Sequence, residues 1–257
     1  MIKKNRVIEK IKAGKPALGG WVMMNSIVSA EILSQAGFDW VCIDAEHSAV
    51  SKEMMSNMFR AIEQRGSEPF VRISLNDEVE IKKCMDMGAR GIIIPMIKSQ
   101  ADVGRAIEYI KYPPRGMRSF ALSRSTGYGE WSDEYFKKVN DETFIGIMIE
   151  HIDAIRNLDE IFSSREIHAV LVGQYDLSGS MGIPGKFDHP EFKEILGIIY
   201  KKAAEYSVPM GIHDVHPTQE SVRNLISKGY TFIGCGIDTL FLLEKAKEFA
   251  GLNSADQ

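Results

Sequence analysis

Apolar and polar positions alternate along this chain in two rhythms. Short runs of strand length are separated by longer stretches of helical period. Eight runs stand out: "ALGGWVM" (17–23), "WVCIDA" (40–45), "PFVRIS" (69–74), "GIIIPM" (91–96), "FIGIMIE" (144–150), "HAVLVG" (168–173), "VPMGIH" (208–213) and "TFIGCG" (231–236). They are apolar on both faces, which predicts parallel strands covered by helices. The helical stretches lie at 27–36, 51–64, 77–87, 99–110, 132–139, 152–162, 189–206, 217–228 and 238–249. An amphipathic stretch at about 3–13 opens the chain. Gly37, Gly88 and Gly229 each fall between a helix and the next strand, where a left-handed residue closes the helix.

No linker or composition break divides residues 1–257, so one domain is expected. Eight βα units in this length predict an α/β protein, a closed (β/α)8 TIM barrel. A doubly wound open sheet is the alternative fold. It usually carries a Gly-rich fingerprint, and there is no GxGxxG after the first run and no GxxxxGK[ST] anywhere.

Composition removes several function classes. The formal charge of −4 is small and no Lys/Arg block occurs, so nucleic acid is not an expected partner. Cys42, Cys84 and Cys235 are far apart with no CxxC pair, which predicts buried thiols without disulfides or zinc. The first sixteen residues lack the apolar core of a signal peptide. No apolar run approaches the ~18 residues of a membrane helix. A cytoplasmic protein without membrane contact is the expectation.

A barrel keeps its chemistry at the carboxyl ends of its strands. The second run ends at Asp44, with Glu46 and His47 just beyond; the third carries Arg72; the fifth ends at Glu150. The sixth leads through Gly173 to Asp176, and the seventh ends at His213. Glu150 follows "FIGIMI", so it is a buried carboxylate that needs a cation or donors, as metal ligand or ion pair. Asp176, in "VGQYDLSGSMG", reads equally as a ligand or a turn cap. Arg72 pairs with a buried acid or grips a substrate oxygen. His47 suits an acid/base near neutral pH, or a helix entry. His213 reads as a rim histidine, and His151, His168, His189 and His216 as rim or surface residues. None of the eight runs contains a lysine, which argues against an imine-forming aldolase. Two hard carboxylates point instead to Mg²⁺ or Mn²⁺ with positions open to substrate.

The segments "GFDWVCIDAEHSAV", "VRIS", "YPPRGMRSFALSRSTGYG", "MIEH" and "VGQYDLSGSMGIPGKFDHPE" resemble the HpcH/HpaI aldolase family over roughly residues 5 to 250. These are class II pyruvate aldolases such as 4-hydroxy-2-oxoheptanedioate aldolase and 2-dehydro-3-deoxyglucarate aldolase. The resemblance implies a barrel of the phosphoenolpyruvate/pyruvate superfamily, commonly a hexamer (a trimer of dimers) with its last helix swapped between subunits. It implies a divalent ion (Mg²⁺, Mn²⁺ or Co²⁺) on Glu150 and Asp176. His47, paired with Asp44, would be the base, working through water. Arg72 would hold the pyruvate oxygen and steady the enolate. The amides around Gln174 and Tyr175 would bind the carboxylate, and Trp21 would wall the methyl pocket. In this family the aldehyde is selected partly by loops from a neighbouring subunit; Arg118, Arg124 and Tyr128 are candidates to line its path, and Arg118 or Arg124 reads equally as a rim ion pair.

Four positions depart from the best-known members. Met148 stands for glutamine, Gln174 and Tyr175 for a Pro–small pair, and His213 for a pocket leucine. A polar His213 and a bulky Tyr175 would narrow or re-polarise the pocket. The implied reaction is reversible cleavage of a 4-hydroxy-2-oxo acid to pyruvate and an aldehyde. Alternatives are a phosphoenolpyruvate-mutase or isocitrate-lyase type enzyme, an acyl-CoA lyase, or a non-catalytic carboxylate-binding protein. The sequence lacks the "KKCGH" loop of the lyase branch.

Overall fold

The computed structural model describes residues 2–250. Its elements run β1 (Ala17–Val22), α2 (Ile27–Gln35), β2 (Trp40–Asp44), α3 (Lys52–Gln64), β3 (Glu68–Arg72), α4 (Glu78–Met87), β4 (Gly91–Ile94) and α5 (Gln100–Ile110), preceded by α1 (Arg6–Lys12). The second half holds α6 (Ser132–Glu142), β5 (Phe144–Ile149), α7 (Leu158–Phe162), β6 (Ala169–Val172), α8 (Gln174–Ser180) and α9 (Pro190–Glu205). It ends with β7 (Gly211–Asp214), α10 (Gln219–Ser227), β8 (Phe232–Ile237) and α11 (Asp238–Ala250). All eight expected strands form. They pair in parallel in the order β6-β5-β4-β3-β2-β1-β8-β7. A bridge between Val170 and Met210 joins the two ends of that order, making a barrel rather than an open sheet.

Two apolar layers hold the barrel. Outside it, helix faces such as Met55, Met58, Phe59 and Ile62 of α3 pack on Val41, Ile43 and Val71 of the strands. Inside it, Trp40, Phe70, Phe144 and Phe232 form an aromatic stack, with Trp40 and Phe232 centroids 4.4 Å apart and Phe70 and Phe144 4.8 Å apart. Val7, Ile8 and Ile11 of α1 belong to this inner cluster. Asn5 caps α1 by accepting the N–H groups of Val7 and Ile8. Each of the four large rings is fully buried, at about 1.5–3 kcal/mol per apolar side chain. The inner stack fills the middle of the barrel, which leaves the carboxyl tips of the strands as the open ground for chemistry.

Gly37, Gly88 and Gly229 all take positive φ after their helices, as expected. Two segments differ from expectation. Residues 152–162 divide into a 3-10 turn (Ile152–Asn157) and the short α7. The Gly- and Ser-rich segment after β6 is not a turn but the helix α8. The three cysteines are buried and unpaired. Among the described residues no helix is long and apolar enough to cross a membrane. Residues 251–257 of the expected single domain lie outside the described residues.

Candidate active site

The carboxyl ends of the strands bring together Asp44, Glu46, Arg72, Glu150 and His213, with Trp21 beside them. Asp44 is the last residue of β2 and Arg72 the last of β3, and the two are partners in the strand register. Arg72 Nε donates to Asp44 Oδ1 at 3.0 Å and Nη2 to Oδ2 at 2.5 Å, a fork-to-fork pair. Asp44 Oδ1 also accepts the backbone N–H groups of Glu46 and His47 at 3.1 and 3.2 Å. Asp44 is thus both the anchor of Arg72 and the shaper of the turn carrying His47.

The expected Asp44–His47 ring pairing is not what the structure shows. The carboxylate of Asp44 is occupied by Arg72 and by two amides. The imidazole instead lies beside Glu46, with His47 Nε2 3.5 Å from Glu46 Oε2. Glu46 Oε2 is also 3.3 Å from Arg72 Nε and makes no hydrogen bond. Burial raises the Glu46 pKa, against the opposing pull of Arg72 and His47. Sequence reading left Glu46 without a role, although its place between Asp44 and His47 was the available signal.

Glu150 follows β5 directly and is 3% exposed. Burial pushes its pKa up to about 7, and nearby Glu46 and Asp176 add to the rise. Its Oε2 accepts the N–H of Met96 at 2.8 Å. No ion pair reaches Glu150 among the described residues. Gly173 lies against it, and a Cβ at 173 would run into Glu150 Oε1. The chain therefore leaves the carboxylate packed on backbone and short of positive charge.

Asp176 sits in the first turn of α8 and is exposed. The cap reading fails: the N-cap of α8 is Gly173, with no side-chain capping bond. Gln174 and Tyr175 occupy the same first turn, where N–H groups have no intrahelical acceptor. The Tyr175 ring, however, is 73% exposed and packs edge-on against Phe187 at 4.8 Å. The expected narrowing of the pocket by this ring is not seen, because Phe187 supplies it with an apolar partner elsewhere.

His213 is more than a rim residue. Its ring stacks on Trp21 at 5.0 Å and 20°. The Arg72 guanidinium lies 5.0 Å from the Trp21 ring centre. Trp21, Arg72 and His213 come from β1, β3 and β7, the alternate-strand supply of a barrel interior. Met148 is buried within the inner cluster.

Arg124 and Arg118 are not brought to this end. Both lie in the α5-to-β5 connection, which a barrel places at the amino ends of its strands. Arg124 pairs with Glu63 and donates to the Met87 carbonyl. With Trp131, Tyr128 and Glu68 it lines a cavity of about 430 Å³. Arg118 is buried, pairs with Asp86 at 2.6 Å and lies on the Tyr112 ring. His168, expected at the rim or surface, is sequestered at the same end, where burial lowers its pKa to about 3.

A closed parallel barrel with ionisable side chains gathered at the carboxyl ends of its strands has the layout of a barrel enzyme. Comparisons with known proteins narrow that class. Residues 18–244 match the family described as HpcH/HpaI aldolase/citrate lyase. The 4-hydroxy-2-oxo-heptane-1,7-dioate aldolase of Escherichia coli is 32% identical over 242 residues, covering 93% of this chain and 91% of that one. The 2-dehydro-3,6-dideoxy-6-sulfogluconate aldolase of Pseudomonas putida is 32% identical over 239 residues, covering 93% and 92%. A crystal structure of an HpcH/HpaI aldolase/citrate lyase family protein from Burkholderia cenocepacia superposes with a TM-score of 0.91 at 25% identity, covering 98% and 100%. The chain belongs to the HpcH/HpaI aldolase/citrate lyase family.

Proposed function

We propose that the protein is a divalent-metal-dependent pyruvate aldolase, cleaving a 4-hydroxy-2-oxo acid reversibly to pyruvate and an aldehyde. One observation carries the reading: Glu150, buried at the mouth, has no ion-pair partner among the described residues, and Asp176 and Glu46 add further negative charge. A buried carboxylate in that setting calls for a cation. Among the described residues no three His, Cys, Asp or Glu side chains form a metal-holding group. Glu150 and Asp176 fit the alternative pattern, in which one or two carboxylates hold a hard ion and leave positions to water and substrate oxygen. Mg²⁺, Mn²⁺ or Co²⁺ bound there supplies Lewis-acid polarisation of the 2-oxo group.

The remaining work falls to the chain. Arg72, fixed by Asp44, directs its guanidinium at the oxygen where negative charge grows as the C3–C4 bond breaks. The first-turn amides of Gln174 and Tyr175 receive the substrate carboxylate. His47, on the solvent side of the mouth, takes the 4-hydroxyl proton through water, with Glu46 beside its ring. Protonation at C3 completes pyruvate. Trp21 and His213 wall the three-carbon end.

Exposed Val28 and Ile32 of α2 and Leu242, Leu243 and Phe249 of α11 support the proposed homo-oligomer, a hexamer with the last helix exchanged. The test is pyruvate release from a panel of 4-hydroxy-2-oxo acids, coupled to lactate dehydrogenase. Activity is expected to vanish with EDTA and return with Mg²⁺, Mn²⁺ or Co²⁺. Silence across the panel with metal supplied would favour a carboxylate-binding protein.

A further inference from the structure

Glu150 is held between two residues whose local conformations do not explain their identities. β4 and β5 stay in register as far as Ile94 and Ile147, and the chain returns to β5 where Ile97 N–H donates to the Met148 carbonyl at 3.2 Å. Three steps beyond Ile94 thus answer one step beyond Ile147, so Pro95 and Met96 form a bulge at the tip of β4. Met96 lies in the left-handed region, with φ of 55°. Its Cβ disfavours that conformation, which persists only where the surroundings require it. The side chain is 41% exposed, so its packing is not the requirement. What the conformation delivers is the backbone N–H, which donates to Glu150 Oε2 at 2.8 Å. Bulges beside active sites re-aim single groups in this way.

Gly173, just past β6, approaches the same carboxylate from another side. Its φ of −80° and ψ of 89° are open to alanine, so the backbone does not call for glycine. The need is for room. A Cβ at 173 would lie 2.3 Å from Glu150 Oε1 and 2.6 Å from its Cγ. Glu150 is buried and tied to Met96, so it could yield only by leaving its place. Oε1 accepts no hydrogen bond among the described residues. One oxygen of Glu150 is committed to the chain and the other is left over.

We propose that Met96 and Gly173 are positioning residues of the metal site, the first holding Glu150 Oε2 through its N–H and the second making room for Oε1, so that Oε1 is the oxygen offered to the ion. The inference rests on the reading of Glu150 as a ligand of a divalent cation. Neither side chain touches the ion. Both residues act through Glu150, by fixing its carboxylate before the ion arrives.

The experiment titrates Mn²⁺ into the whole protein by calorimetry, with the metal-free thermal midpoint measured alongside. Incorporating the α-hydroxy analogue of methionine at 96 turns the amide between 95 and 96 into an ester. That deletes the N–H and keeps the side chain. Roughly tenfold weaker Mn²⁺ binding is expected. Gly173→Ala is expected to weaken binding at least as much while keeping a cooperative thermal transition. Met96→Gly keeps the N–H and accepts the left-handed backbone, so its Mn²⁺ affinity should stay within about twofold of wild type. Unchanged affinity in the ester protein or in Gly173→Ala overturns the inference, even if the thermal midpoint falls, because the residue would then belong to the frame alone. A loss in Met96→Gly equal to that of the ester protein overturns it too, by assigning the effect to the side chain. If the ester protein does not fold, Gly173→Ala and Met96→Gly decide. Wild-type binding that no substitution weakens leaves the aldolase reading intact, whereas a wild-type protein that binds no Mn²⁺ sinks that reading as well.

Discussion

The two ends of the barrel use the same ionic residue types in opposite ways. At the amino end, charges are matched. Asp39, just before β2, accepts Arg6 at 2.9 Å, Lys10 at 2.7 Å and the Leu18 N–H at 3.0 Å. Glu68, the first residue of β3, pairs with Arg90 at 3.2 Å and accepts the Arg6 N–H at 3.1 Å. Glu166 is shared by Arg115 and Lys111 at 2.6 and 3.3 Å. At the carboxyl end, among the described residues, Arg72 faces both Asp44 and Glu46, the His47 ring lies beside Glu46, and Glu150 has no ion-pair partner. Matched charges close the floor of the barrel. The excess of carboxylate at the mouth is what the proposed divalent ion would balance.

The contrast makes a sharp separation of phenotypes. Arg72→Ala carries the largest expected effect, because it removes the guanidinium that Asp44 fixes at the mouth. A loss of roughly 100- to 1000-fold in kcat/KM is expected, with far-UV circular dichroism unchanged. Near-normal turnover would refute the assigned role. The counterpart on the floor is Asp39→Ala. It strands two cations and a backbone N–H, at a cost of about 2 kcal/mol. Thermal unfolding should therefore shift down by roughly 4–8 °C, while kcat of the folded fraction stays unchanged. A fall in kcat matching that of the arginine variant would erase the distinction between the ends.

The same contrast explains what the sequence made legible. The eight strands were readable because apolar runs without alternation have few alternatives once nine helical stretches flank them. The mouth was readable because ionisable residues at the tips of such runs, Asp44, Arg72 and Glu150, stand out against their apolar background. Glu46 was harder. Its position was plain, but only the fold shows that the Asp44 carboxylate is already committed to Arg72 and two amides. α8 was hidden because Gly179, Ser178 and Ser180 carry turn preference, which packing of Leu177 and Ser178 overrides. His168 was misplaced because it precedes β6 at the strand start, where a polar residue reads as rim. The structure half-buries it, with its ring stacked on Phe144 at 5.5 Å.

That histidine gives the floor a pH signature. His168 Nδ1 accepts the Ile145 N–H at 3.1 Å, so the neutral ring is the one the fold uses. Burial holds its pKa at about 3, below the ordinary 6.5. As pH falls below 6.5 the unfolded chain takes up a proton that the folded chain refuses. Stability from this site is complete above that range and is lost progressively toward pH 3. About 1 kcal/mol should disappear between pH 7 and 5.5. Urea unfolding at the two pH values measures it, and His168→Gln should flatten the difference. An unchanged slope in that variant would show that other groups carry the acid sensitivity.

The smallest expected effect tests where Arg124 belongs. Its place in "SRSTGYG" resembles a substrate-path arginine, but the chain folds it onto the floor. There it reaches Glu63 and the Met87 carbonyl, and Glu63 is largely exposed. An exposed pair of this kind contributes about 0.5 kcal/mol. Arg124→Ala should lower the thermal midpoint by only a degree or two and leave kcat/KM within about twofold. Such an outcome assigns the residue to the floor, with its matched charges. A tenfold rise in KM for the aldehyde in the condensation direction, with KM for the oxo acid unchanged, would have a different meaning. It would place this floor against the mouth of a second copy, so that the two ends of the barrel are separate within one chain and joined in the assembly.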